Sequence, residues 1–172
     1  MPEIKPIVAL LDRARTDLLA AAEAVPPDLW ARAPKPSSWS AADVTAHLTG
    51  VETAITDGAA RAIRNEPRRL PFWRKLHAPV VLVRWRFFRA KTPIPLDGKL
   101  LAEKEEMLAR LRGARASTLA FLKETQGRDL RAYYWPHPFF GPMNFYDWFR
   151  LMAHHEARHT KQIREIVEFF QK

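Results

Sequence analysis

Trp148-Phe149-Arg150-Leu151-Met152-Ala153-His154-His155-Glu156-Ala157-Arg158-His159-Thr160-Lys161-Gln162-Ile163-Arg164-Glu165-Ile166 decides the fold. Trp148, Met152, His155, His159, Ile163 (or Gln162), Ile166 and Phe170 recur at three- and four-residue steps, the spacing that lines one face of an α-helix. That face is apolar except at two places, and both interruptions are histidines. Imidazoles at i and i+4 point the same way and can bite one metal ion.

Working outward, the 14 prolines divide the rest of the chain. An interior proline breaks a helix, so helices belong in the proline-free stretches 7–25, 37–66, 96–135 and 143–172. Ile7, Leu10, Leu11, Ala14, Leu18, Ala21 and Ala22 form a stripe in the first, and Val44, Leu48, Val51, Ile55, Ala59 and Ala62 in the second. Leu100, Met107, Leu111, Ala114, Thr118, Phe121 and Leu122 mark the third. Ser40 before Asp43, and Asn144 before Asp147, read as N-caps with an acid in the first turn. No alternating strand pattern of useful length is present. The expectation is an all-α four-helix bundle forming a single domain over residues 1–172.

The segment from Pro67 to Pro95 is a long connection between helices two and three, with one or two short helices expected around Phe72 to Phe88. It also holds most of the charge asymmetry. Of the 28 basic and 19 acidic residues, ten basic residues but only Glu66 lie between Arg61 and Lys91, leaving eighteen of each sign elsewhere. Trp73, Trp85, Phe72, Phe87 and Phe88 are interleaved with these cations, a composition suited to a solvated basic face, to phosphate contact with stacking, to a membrane surface, or to an acidic cosubstrate. Arg84, Arg86 and Arg89 are the candidate anion-binding residues.

With no cysteine, the chain excludes disulfides, thiolate ligands and a cysteine nucleophile, so any metal must be held by imidazole or carboxylate. No run of apolar residues is long enough to span a bilayer, and no basic, apolar leader opens the chain; a cytoplasmic protein is expected.

His47 breaks the second stripe as His155 and His159 break the fourth, lying three after Val44 and four before Val51. Three imidazoles from two helices therefore face the core. On spacing alone they are open to two readings, hydrogen-bonded core histidines or ligands sharing one cation. Three nitrogen ligands with open positions describe a catalytic rather than a closed site. Asp43, one turn before His47, and Gln162, one turn after His159, stand where outer hydrogen-bond partners belong. His154 lies off the stripe, and His77 and His137 lie outside the long helices; these three read as structural or solvent-facing.

Trp39-Ser40-Ala41-Ala42-Asp43-Val44-Thr45-Ala46-His47-Leu48, together with His137-Pro138-Phe139-Phe140-Gly141-Pro142-Met143 through Trp148 to His155, His159 and Gln162-Ile163, resembles the DinB/YfiT-like superfamily of metal-dependent enzymes. The resemblance implies a four-helix bundle in which His47, His155 and His159 hold a divalent ion, often nickel or zinc. It further implies a homodimer and thiol-dependent chemistry, as in bacillithiol S-transferases and a mycothiol-dependent maleylpyruvate isomerase.

Besides a catalytically silent bundle that uses the same scaffold for oligomerisation, two functions of different class follow. One is a metal-dependent enzyme acting on a small-molecule substrate, either a transferase using an acidic low-molecular-weight thiol or a hydrolase using water. The other is a nucleic-acid-binding or stress-response accessory protein that uses residues 61–91, its histidines structural.

Overall fold

The computed structural model describes residues 4–68, 70, 71, 79–84 and 101–172. Four long helices carry the fold: α1 (Ile4–Glu23), α2 (Ala41–Ala62), α3 (Lys104–Glu124) and α4 (Phe145–Phe170). α1 packs chiefly on α4 and α2 on α3, with α2 and α4 also in contact, so the ring runs α1, α4, α2, α3. The adjacency of α2 to α4 is what positions the site.

Each helix starts or stops for a local reason. Ser40 caps α2 in a full capping box, and the Asn144 side chain accepts from the Tyr146 and Asp147 backbone N–H groups to open α4. The end of α1 is capped from outside, because Lys104 Nζ donates to the carbonyls of Glu23 at 2.8 Å and Val25 at 2.7 Å. Within the long connection, Val80–Arg84 forms a 3₁₀ turn packed against α4. Residues 72–78 and 85–88 lie outside the described residues, as does Leu100.

The expected four-helix bundle is present, and one short hairpin accompanies it. Tyr134–His137 (β1) and Gly141–Asn144 (β2) pair antiparallel just before α4. Pro136 and Pro142 sit opposite each other in the register, so the position demands no ladder N–H from either. Gly141, at φ +69°, supplies the left-handed residue that closes the three-residue loop. The hairpin is bolted to α4: Phe145 N–H donates to Tyr133 O at 2.9 Å and Trp148 Nε1–H to Trp135 O at 3.2 Å.

The core falls into two apolar clusters. One, at the hairpin end, gathers Leu11, Ile55, Leu122, Phe145, Phe149 and Met152, and the other gathers Leu18, Val44, Leu48, Leu111, Ile163 and Ile166. Between them lies a layer of four buried charges, one from each helix: Arg15, Glu52, Arg115 and Glu156. Arg15 Nε reaches Glu156 at 2.6 Å, while Arg115 reaches Glu52 at 2.7 Å and Glu156 at 2.9 Å. Arg15 also pairs with Glu52, and the two guanidinium groups donate to the carbonyls of Leu111 and Leu11. Burial pulls the Arg115 pKa down, but Glu156 and Glu52 outweigh it and leave it raised.

Candidate metal centre

The site forms where the first half of α2 faces the middle of α4. Ser40 Oγ accepts from Asp43 N–H at 3.1 Å, and the Asp43 carboxylate accepts from the Ser40 N–H at 2.9 Å and hydroxyl at 2.7 Å. This reciprocal closure fixes the first turn of α2. His47 follows one turn later on the buried face.

His155 Nε2 stands 3.5 Å from His47 Nε2 and 3.1 Å from His159 Nε2. One nitrogen from each ring lies within 4.8 Å of the others. Two nitrogens bound tetrahedrally to one ion at about 2.05 Å stand about 3.3 Å apart. The separations of 3.1 and 3.5 Å that His155 makes with its two neighbours bracket that value. Trp39 walls the cluster, stacked on His159 with ring centres 5.9 Å apart and tilted on His47 at 4.9 Å. His47 and His159 are buried, whereas His155 is half-buried.

Electrostatics favours lone pairs here. Burial pushes His47 down to about 4. The protein packed around His155, and then the charges of His47, Arg158 and His137, push it down to about 3. His159 lies well below the ordinary histidine range, first through burial and then through His155 and His47. All three rings are neutral at pH 7. Gln162 Oε1 lies 2.9 Å from His159 Nδ1, which therefore carries the ring proton and leaves the Nε2 lone pair facing its neighbours.

The structure thus brings His47, His155, His159 and Gln162 together. The Asp43 carboxylate is engaged by Ser40, because an acid at the third helical position is the partner that the cap demands. Arg86, Arg89 and His77 lie outside the described residues, as does the side chain of Arg84.

Two features escaped the sequence reading. The charged layer is visible in hindsight as four polar breaks in apolar stripes, two of each sign, such as Arg15 between Leu11 and Leu18 and Glu52 between Leu48 and Ile55. His137 is the second, packed on Trp148 with ring centres 5.0 Å apart.

Comparison with known proteins places these features in context. Residues 10–163 match the family model described as the DinB superfamily. A solved structure described as "TT2238, a four-helix bundle protein" superposes with a TM-score of 0.62 at 22% identity, covering 95% of this chain and 99% of that one. At that identity the likeness is one of fold. No curated protein matches the chain. Among the described residues no helix is long and apolar enough to cross a membrane.

Proposed function

The chain belongs to the DinB superfamily, and from that premise we propose that it is a divalent-metal-dependent transferase using a low-molecular-weight thiol, with His47, His155 and His159 as ligands of a nickel or zinc ion. The observation that carries this reading is the convergence of three neutral imidazole nitrogens, 3.1 and 3.5 Å apart, at a junction of two helices. Three protein ligands leave coordination open to a small molecule. A divalent ion held there lowers the pKa of a thiol or water that joins it, supplying a nucleophile at neutral pH.

The chain's own residues do the rest. Gln162 holds His159 in the ligating tautomer, and Trp39 keeps water off one side of the cluster. His155 is the least enclosed of the three ligands, so the substrate side of the ion is assigned to it. With no cysteine in the chain, no internal thiolate competes for the ion. The cation-rich stretch from Arg61 to Lys91 suits a cosubstrate bearing carboxylates.

Elemental analysis of the purified protein tests the ligand set: stoichiometric divalent metal is expected, and His159→Ala should abolish it. A cobalt-substituted sample then tests the thiol, since sulfur ligation adds a strong near-ultraviolet band. Full metal retention in His159→Ala sinks the site, and the absence of that band across a panel of low-molecular-weight thiols sinks the transferase reading.

A further inference from the structure

His137 ends β1, opposite Gly141 in the register. The loop folds back over it, so that the backbone N–H groups of Phe139 and Phe140 both donate to His137 Nδ1, at 3.0 and 3.2 Å. A ring nitrogen that accepts N–H bonds cannot carry a proton, so the neutral ring holds its proton on Nε2. The ring is also fixed in place. It packs on Phe140 at 4.9 Å and on Trp148 at 5.0 Å, and Trp148 is itself stacked flat on Trp135 at 5.1 Å.

Trp148 precedes His155 by seven residues on the inward face of α4, about 10 Å along the axis. A ring lying on Trp148 therefore stands on the hairpin side of the triad, at the end of α4 from which that inward face leads to His155. His155, two turns from Trp148, is the half-buried member of the triad, whereas His47 and His159 are buried. Burial also depresses His137 to about 4, so the ring stays neutral around pH 7.

We infer that His137 orients substrate: its Nε2–H donates a hydrogen bond to a carboxylate or carbonyl oxygen of the small molecule that fills the open side of the triad ion. This rests on the metal-enzyme reading above. The hairpin supplies a donor of fixed tautomer, placed by a third structural element. No proton is transferred by His137.

The competing role is purely structural, an acceptor that closes the loop, and two substitutions separate the roles. His137→Asn keeps an acceptor for the loop N–H groups, as in an Asx turn, but has nothing at the Nε2 position. His137→Gln extends an amide donor to about the reach of Nε2 but withdraws the loop acceptor. The full-length chain is loaded with cobalt, whose affinity is measured by chelator competition, and acetate is titrated against the visible cobalt spectrum.

Cobalt affinity should be unchanged in both variants. The acetate Kd should rise about 3- to 10-fold in His137→Asn, the range expected for one lost hydrogen bond, and less in His137→Gln. Equal acetate binding in all three proteins, with only the Tm of His137→Gln reduced, overturns the inference and leaves the metal reading standing. Failure of the parent chain to bind cobalt overturns both. Long-range ¹H–¹⁵N correlation of the parent's histidine rings needs no variant to fold: a proton on His137 Nδ1 overturns the inference outright.

Discussion

His159 donates its Nδ1 proton to Gln162 Oε1 across 2.9 Å, one turn further along α4, and this bond decides which nitrogen faces His47 and His155. Gln162→Leu removes the acceptor and frees the ring to adopt the other tautomer. Metal affinity should fall by about 10- to 100-fold while the helix stays folded, and Gln162→Glu, which keeps an acceptor, should retain most of it. Chelator competition measures both. An unchanged affinity in Gln162→Leu means that the ring is oriented by its packing against Trp39 instead.

The charged layer makes a second prediction. Arg115→Met leaves Glu52 and Glu156 buried with only Arg15 to share, and losing one partner of a buried ion cluster costs about 3–5 kcal/mol. Urea denaturation should show that loss. Replacing all four residues by apolar side chains of matching volume should cost far less, because no charge is left unpaired. If the fourfold replacement is the more damaging of the two, the layer contributes favourable pairing of its own.

Acid should weaken the metal-free protein through its histidines. His47 titrates at about 4 when folded and near 6.5 when free, so between those values the unfolded chain binds the extra proton. Its contribution to stability is whole above pH 6.5 and is lost as the pH falls toward about 4, on the order of 3 kcal/mol for this group alone. Thermal melts in chelator between about pH 7.5 and about pH 4.5 should therefore show a steeper decline for the parent than for His47→Phe. Parallel declines would remove His47 as the source.

What could be read along the chain is what depends on near neighbours. The caps at Ser40 and Asn144 and the inward aim of His47, His155 and His159 follow from spacings of three and four residues, and all appear in the structure. The hairpin was hidden because its strands are four residues long and each contains a proline, Pro136 and Pro142, normally evidence against a strand. His137 was hidden with it, since only the hairpin carries that ring back onto Trp148. The Arg15, Glu52, Arg115 and Glu156 layer was hidden for another reason: four charges on four helices identify one another only once the order of the helices around the bundle is known.

Two helical glycines should respond in opposite directions to alanine. A Cβ added at Gly58 would lie 3.0 Å from Trp135 Nε1 and 3.5 Å from its Cδ1, whereas one added at Gly113 on α3 meets nothing within 4 Å. Alanine gains about 1 kcal/mol of helix propensity over glycine at either place. At Gly113 that gain stands, and the Tm should rise. At Gly58 the indole must retreat, yet Trp135 is stacked flat on Trp148 at 5.1 Å and packed edge-on against Phe145 at 6.4 Å. Overpacking of this kind costs about 1–3 kcal/mol, enough to cancel the propensity gain and reverse its sign. Gly58→Ala should therefore lower the Tm and shift the tryptophan emission. Two rises of equal size would mean that α2 and the hairpin do not approach this closely in solution.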